Sequence, residues 1–283
     1  MILRELIRQS EAMLDEKDKD CNVAKVLFYH LAHKEPHQLY LMMDEEVDEE
    51  LLKQFQDGMQ RYMNGEPIQY INGKENFFSR DFIVNENVLI PRYETEELVE
   101  NILYKIDDYF DDYSSIDLCD VGTGSGAIAI TLALEEPKLN VVATDISEEA
   151  LVTARQNAKN NEVDIDFTAG DMLQPLIDAN RHLDVLISNP PYIPQDEQME
   201  TSVVDFEPHV ALFGGEDGLK FYRMIFKDCK KVLNKKAFMA FEMGWDQRER
   251  MSKLVEELLP DARYEMLKDM NGKDRMLFVY FNC

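Results

Sequence analysis

The chain has 283 residues, 45% hydrophobic and 10% aromatic, enough apolar side chain to bury a core and too much for a disordered polypeptide. Acidic residues outnumber basic ones 56 to 30, a formal charge of −26. That excludes a broad phosphate-binding surface, which needs clustered Lys and Arg, and leaves room only for a local basic groove.

Residues 1 to about 65 read as helical. Ile2, Leu3, Leu6, Ile7, Met13 and Leu14 recur near a 3.6 period. So do Val23, Val26, Leu27, His30 and Leu31, and then Leu51, Leu52, Phe55 and Met59. Asp48 is placed to cap the third set, with Glu49 and Glu50 in its first turn. Gly65 and Pro67 punctuate the end of this region, and a small all-α domain of three or four amphipathic segments is expected over residues 1–66.

From Ile68 to Ile90 the composition turns β-rich, with Ile68, Tyr70, Ile71, Phe77, Phe78, Phe82, Ile83, Val84, Val88 and Leu89. Asn72-Gly73 and Asn85-Glu86-Asn87 interrupt it, which predicts a β-hairpin connector over residues 67–92. Thr95 is placed to cap a following helix whose apolar face is Leu98, Val99, Ile102, Leu103 and Ile106.

The remainder, residues 93–283, alternates. Strands are predicted at Ser115–Val121, Asn140–Asp145, Ile165–Ala169, Leu183–Ser188 and Ala237–Met243. Helices are predicted at Ala127–Leu134, Glu148–Asn160, capped by Ser147, and Gly218–Leu233. One more helix follows Trp245 to Leu259, and a strand pair, Arg263–Leu267 and Arg275–Phe281, turns around Asn271-Gly272. Alternating β and α segments imply a mostly parallel sheet covered by helices, an α/β Rossmann-like domain with a C-terminal antiparallel pair.

Several function classes drop out. Arg4, Glu5, Arg8, Glu11, Asp15 and Glu16 stand where a secretory leader needs an apolar run. No apolar run reaches the ~18 residues of a membrane helix. Cys21, Cys119, Cys229 and Cys283 are scattered and form no CxxC pair, the pattern of reduced thiols in a cytoplasmic protein. His33 and His37 are four apart with Pro36 between them, and no metal site is expected.

Asp120-Val121-Gly122-Thr123-Gly124-Ser125-Gly126 follows the first strand of the sheet and opens a helix. Glycines permit positive φ and close approach of a ligand to the backbone. The helix start offers unpaired N–H groups to an anionic group. Asp145 ends the next strand, roughly 20 residues further on, where a carboxylate accepts hydrogen bonds from ribose hydroxyls. Together these point to a nucleoside cofactor. The glycines are spaced G-x-G-x-G rather than as in dinucleotide binders. No Gly-Lys-Ser or Gly-Lys-Thr follows, and Thr123 rather than Gly stands two residues before Ser125, so this is neither a phosphate loop nor a nucleophile elbow.

Asn189-Pro190-Pro191-Tyr192 follows the strand ending at Ser188. In an open α/β sheet the carboxyl ends of the strands face the ligand crevice. Two prolines fix φ at successive positions and hold Asn189 extended. The Asn189 amide oxygen and the Pro190 carbonyl are two acceptors in a stiff frame, suited to gripping one planar NH₂ group, with the Tyr192 ring to pack on its flat face. Such a site suits methyl transfer to an amide or aromatic amine nitrogen. That nitrogen is a poor nucleophile, and it needs alignment, exclusion of water and stabilisation as it becomes cationic.

At this point the residues resemble a known family. Gly122–Gly126, Asp145 and Asn189–Tyr192 look like an S-adenosyl-L-methionine-dependent methyltransferase. The Asn-Pro-Pro-Tyr tetrapeptide alone is shared by glutamine and N6-adenine methyltransferases. The surrounding blocks are similar to the bacterial release factor glutamine methyltransferases, the PrmC/HemK family: Val88-Leu89-Ile90-Pro91-Arg92-Tyr93-Glu94-Thr95-Glu96, Phe206-Glu207-Pro208, Ala211-Leu212-Phe213-Gly214-Gly215, Asp217-Gly218-Leu219 with Phe221-Tyr222-Arg223, and Lys268-Asp269 followed by Gly272-Lys273-Asp274-Arg275. The match runs from about Tyr70 to the C-terminus.

The resemblance implies methylation of the side-chain nitrogen of the glutamine in the Gly-Gly-Gln motif of class I peptide chain release factors. It implies S-adenosyl-L-homocysteine as the other product and a helical N-terminal domain that helps hold the release factor. By position, Gly122, Thr123, Gly124, Ser125, Gly126, Asp145, Asp171, Met172 and Asn189 would bind the cofactor. Asn189, Pro190, Pro191 and Tyr192 would hold the glutamine, with Asn189, Pro190 and Tyr192 carrying the chemistry. Met172 stands where some members have an aromatic residue; a thioether also packs on a purine. Tyr93 replaces a proline common in the family's block.

Three rivals stay open on sequence alone. One is methylation of a ribosomal-protein glutamine, which needs the same loop. The second is an N6-adenine nucleic-acid methyltransferase, disfavoured by the charge of −26. The third is a catalytically silent binding module. A monomer with a protein substrate, no nucleic acid and no membrane is expected.

Overall fold

The computed structural model describes residues 1–197 and 205–281. Of the described residues, 1–74 and 205–206 form one unit, and 75–197 and 207–281 the other.

Residues 1–74 hold five helices: α1 (Leu3–Asp15), α2 (Val23–Leu31), α3 (Pro36–Leu41), α4 (Glu49–Met63) and α5 (Ile68–Asn72). The apolar stripes of the first four meet in one core of Leu3, Leu6, Ile7, Leu14, Val23, Ala24, Leu27, Phe28, Leu39, Phe55 and Met59. The Phe28 and Phe55 rings pack edge to face at 5.9 Å. Asp48 caps α4 by accepting from Glu50 N at 2.9 Å and Leu51 N at 3.3 Å, as its sequence position predicts. α5 corrects the β-rich reading of Ile68, Tyr70 and Ile71. Pro67 starts a helical turn and Gly73, with φ of 69°, closes it in the left-handed conformation. An apolar run this short carries no period that separates strand from helix.

The hairpin is correspondingly narrower, β1 (Lys74–Phe77) and β2 (Arg80–Ile83). Phe78 and Ser79 both take positive φ at the turn, 51° and 62°, which matches strand twist in a two-residue loop. Val88 and Leu89 lie outside any strand.

The second unit continues with α6 (Tyr93–Tyr109), β3 (Ile116–Val121), α7 (Ala127–Glu135), β4 (Leu139–Asp145), α8 (Glu148–Asn160), β5 (Asp166–Ala169), α9 (Gln174–Asp178), β6 (Leu183–Ser188), α10 (Lys220–Asp228), β7 (Leu233–Glu242), α11 (Arg248–Leu258), β8 (Arg263–Lys268) and β9 (Asp274–Phe281). Seven strands form one sheet in the order β5-β4-β3-β6-β7-β9-β8. The first five pair in parallel, and β9 runs antiparallel to both β7 and β8. This is the mostly parallel, Rossmann-like α/β architecture with a C-terminal antiparallel pair expected from the alternating pattern. The helix predicted over Gly218–Leu233 stops at Asp228, because Leu233 already pairs with Leu183 in the sheet.

Alternate residues of each strand feed two cores. Ile116, Leu118, Val185, Ile187, Phe238 and Phe278 pack under α6 and α7. Cys119, Val121, Leu186, Met239, Phe241 and Leu277 pack under α10 and α11. β6 is buried along its whole length, which is why it reads as a near-continuous apolar run. Cys21, Cys119 and Cys229 are free thiols. Among the described residues no helix is long and apolar enough to cross a membrane.

The topology places the site. From β3 the chain steps outward through β4 to β5, then returns to β6 on the other side of β3. The crevice beyond the carboxyl ends of β3 and β6 is therefore the switch point, where open α/β sheets take ligands.

Candidate active site

The two loops singled out in the sequence leave the sheet side by side. Asp120 pairs with Ile187 across β3 and β6, and the Ser188 hydroxyl donates to the Val121 carbonyl at 2.6 Å. Residues 122–126 and 189–192 thus start from the same level. A cavity of about 280 Å³ lies there. Its wall includes Gly122, Thr123, Gly124, Ser125, Asp145, Asp171, Met172, Asn189 and Pro191 from the sequence reading, joined by Arg92, Thr95, Ile146, Lys220 and Phe221. Gly126, Pro190 and Tyr192 are not among the lining residues.

The glycines divide by role. Gly122 and Gly124 have φ of 75° and 57°, and a Cβ on either would meet nothing within 4 Å. The space above them is open to a ligand. Gly126, with φ of 81°, is enclosed: a Cβ there would lie 2.9 Å from Ile130 and 3.2 Å from Ala154. It lets the loop turn tightly into α7. Asn157, fully buried on α8, braces the loop from below. Its Nδ2 donates to Ser125 O at 2.9 Å and to Ile83 O at 3.0 Å, and its Oδ1 accepts from Ile83 N at 2.7 Å.

Asp145 Oδ2 accepts from Gly124 N at 2.8 Å and Oδ1 from Ser147 N at 2.9 Å. These bonds pin the carboxylate against the glycine loop. A carboxylate offers about four acceptor positions, so two serve the fold and the others can face the cavity. Burial raises its pKa, against the pull of the backbone N–H groups of Ser147, Gly124 and Ile146. Asp171 and Met172 follow the end of β5, next to Asp145 through the Gly170 N to Asp145 O bond of 2.8 Å. An open glycine cradle at a helix start, a pinned carboxylate and an apolar flank of Ile146 and Met172 suit a nucleoside-bearing cofactor.

Asp120, which the sequence shows only as the residue leading into the glycine loop, also contributes. It is 0% exposed. Its Oδ2 accepts from the Thr123 hydroxyl at 2.6 Å, while Oδ1 has no partner among the described residues. Burial pushes its pKa up to about 7, only partly offset by Thr123.

The Asn189–Tyr192 loop is clamped by groups far away in sequence. The Gln247 amide donates to Tyr192 O at 2.9 Å and Gly218 O at 3.3 Å, and its oxygen accepts from Gly244 N at 2.9 Å. Ile193 and Phe213 form a parallel bridge, with Gly214 N donating to Ile193 O at 2.8 Å. A Cβ on Gly214 would lie 2.5 Å from Pro191 O, and one on Gly218 would collide with Tyr192 O. The strap of residues 211–219 quoted in the resemblance therefore holds the Pro-Pro loop by backbone contact that no side chain allows.

Two expectations change here. Thr95 does not cap α6, where Arg92 is the N-cap residue. Its hydroxyl donates instead to the buried Glu242 carboxylate at 2.6 Å. Tyr192 does not line the cavity. Its hydroxyl donates to the other oxygen of Glu242 at 3.2 Å, and its ring packs on the core under α10. Arg92 pairs with the buried Glu207, which also accepts from Ile90 N at 3.4 Å, so Glu207 fixes the cavity wall at Arg92.

The chain is similar to known proteins. The family described as "Methyltransferase small domain" matches residues 103–206, and "PrmC N-terminal domain" matches residues 5–73. The chain is 42% identical over 281 residues to a release factor glutamine methyltransferase of Bacillus cereus, covering 99% of each. It is 41% identical to the protein of that name in Bacillus subtilis, covering 96% of each. In three dimensions it resembles a methyltransferase from Pyrococcus furiosus at 17% identity, with a TM-score of 0.52, over 80% of this chain and 98% of that one; this likeness concerns the fold alone.

Proposed function

The chain belongs to the release factor glutamine methyltransferase family, and on that premise we propose that it transfers a methyl group from S-adenosyl-L-methionine to the side-chain amide nitrogen (N5) of the glutamine in the Gly-Gly-Gln motif of class I peptide chain release factors. One observation carries the reading. The glycine loop and the Asn189 loop line a single cavity at the switch point of the sheet.

When bound, the cofactor supplies an electrophilic methyl group on a sulfonium sulfur. Gly122, Gly124 and Asp145 hold it, with Thr123, Ser125, Asp171 and Met172 around it and Gly126 shaping the turn. Asn189 Oδ1, on the cavity wall, accepts one N–H group of the substrate carboxamide, and the carbonyl of Pro190, which stands in the chain between the lining residues Asn189 and Pro191, accepts the other. The amide plane is thereby fixed, and positive charge growing on the nitrogen meets two oriented dipoles. No strong base is required, because the proton leaves to solvent after transfer. Pro191 closes the wall, and Tyr192 holds the loop through Glu242 and Gln247. The helical residues 1–66 hold the release factor. One copy of the chain acts on a protein substrate, without nucleic acid.

The test is incubation of purified enzyme with a class I release factor and labelled cofactor, followed by intact-mass measurement and peptide mapping. One methyl group on the Gly-Gly-Gln glutamine is expected. Label on a ribosomal protein alone, or on DNA or RNA, overturns the assignment.

A further inference from the structure

Asn189 ends in a carboxamide whose donor and acceptor ends have nearly the same shape. To receive an NH₂ group it must present Oδ1, and to receive a carboxylate it must present Nδ2. The surroundings of Asn189 decide between these.

The deciding atom is the Thr95 hydroxyl. Thr95 stands in the first turn of α6, 4% exposed. A hydroxyl has one proton, and Thr95 gives it to Glu242 Oε2 at 2.6 Å. Toward any other neighbour Oγ1 can then only accept. Asn189 meets it with Nδ2, at 3.4 Å, which turns Oδ1 away from Thr95. Glu242, at the end of β7, anchors the direction. It is 3% exposed, its other oxygen accepts from the Tyr192 hydroxyl, and its backbone carbonyl accepts from the Tyr222 hydroxyl at 2.6 Å. A carboxylate has no proton to give, so both side-chain hydroxyls must point toward it.

Burying a carboxylate is costly, and an apolar residue fills space better. What a carboxylate supplies here and an apolar residue does not is a fixed donor direction. We propose that Glu242 and Thr95 are positioning residues that set the polarity of the Asn189 carboxamide, and with it the enzyme's preference for glutamine over glutamate at the acceptor position. This rests on the reading that Asn189 grips the substrate carboxamide.

The experiment compares two forms of a class I release factor, carrying Gly-Gly-Gln and Gly-Gly-Glu. Their affinities for the full-length enzyme are measured by calorimetry with S-adenosyl-L-homocysteine present. Wild type binds the glutamine form more tightly. Thr95→Val keeps the shape and removes the relay, and the ratio of the two affinities falls by on the order of tenfold, the size of one misdirected buried hydrogen bond. Thr95→Ser keeps the hydroxyl and retains the ratio. Glu242→Leu lowers it as Thr95→Val does, and Thr95→Ala serves if either bulkier change prevents folding, as checked by circular dichroism. A Thr95 that only packs weakens both forms alike and leaves the ratio unmoved. A wild-type preference retained in Thr95→Val and Thr95→Ala overturns the relay alone. Absence of any preference in wild type overturns the relay together with the carboxamide reading.

Discussion

Asn189 is uncharged, so its effect on a developing cation depends on where its dipole points rather than on a long-range field. Oriented dipoles of this kind are each worth about 10²–10³ in rate. Asn189→Ala is therefore expected to lower the single-turnover rate on the order of 10²-fold, with the protein still folded; a rate within a few-fold of wild type removes Asn189 from the chemistry. The residue was legible in the sequence because the two prolines after it restrict the backbone whatever the rest of the chain does. Its supports were not. Thr95 and Glu242 are 147 positions apart, and Gln247 and Tyr192 are 55 apart. The packing of α6 on β7 and the pairing of β6 with β7 bring them together, and each alone has a bland reading: a helix cap, a strand-end acid, a polar residue before a helix. The same separation in sequence hides the role of Tyr192, 50 positions from Glu242. An exposed-looking aromatic beside a site gains a different role once a buried carboxylate stands within reach of its hydroxyl.

At the level of elements, the loop from β3 into α7 shows how one motif mixes ligand access with folding. Gly122, Gly124 and Gly126 look alike in sequence, and all three have positive φ, which costs an L-residue about 1–2 kcal/mol. They differ in what stands above them. Gly124→Ala places a methyl group in open cavity, whereas Gly126→Ala forces one against Ile130 and Ala154. Gly124→Ala should melt within a few degrees of wild type, yet bind S-adenosyl-L-homocysteine at least tenfold more weakly by calorimetry. Gly126→Ala should lose the larger share of thermal stability. The reverse ranking in the melts sinks this division of roles. The elements themselves were legible wherever a period or a cap ran long enough: β6 and α8 stand at their expected boundaries, Leu183–Ser188 and Glu148–Asn160. α5 and α9, with five residues each, are too short to carry a period, and tertiary packing decides them.

For the whole molecule, two sources of negative charge bear on stability, and they separate by salt. The surplus of acidic side chains, a formal −26, repels itself, and this relaxes as pH falls. Asp120 acts in the same direction from inside. Its pKa is 3.8 when unfolded and about 7 in the folded protein, so between those values the native state binds more protons than the unfolded one. Stability then falls as pH rises from about 4 through 7 and levels off above, by about 1.4 kcal/mol for each unit separating the two values. Glu242 and Asp145, also raised by burial, add to that slope. Asp217 opposes it only in stronger acid. The Arg223 guanidinium holds its carboxyl down to about 2, so its contribution is lost as pH drops below 3.8 toward that value. Thermal unfolding of wild type should therefore show a melting temperature that declines from pH 5 to pH 7 and flattens by pH 8. In ~1 M salt, where the screening length is about 3 Å, the surface part disappears and the Asp120 part persists. Asp120→Asn, which resembles the protonated side chain at every pH, should make the high-salt slope clearly shallower and raise the melting temperature at pH 8. A high-salt slope that is equally steep with and without the substitution places the buried proton elsewhere in the molecule.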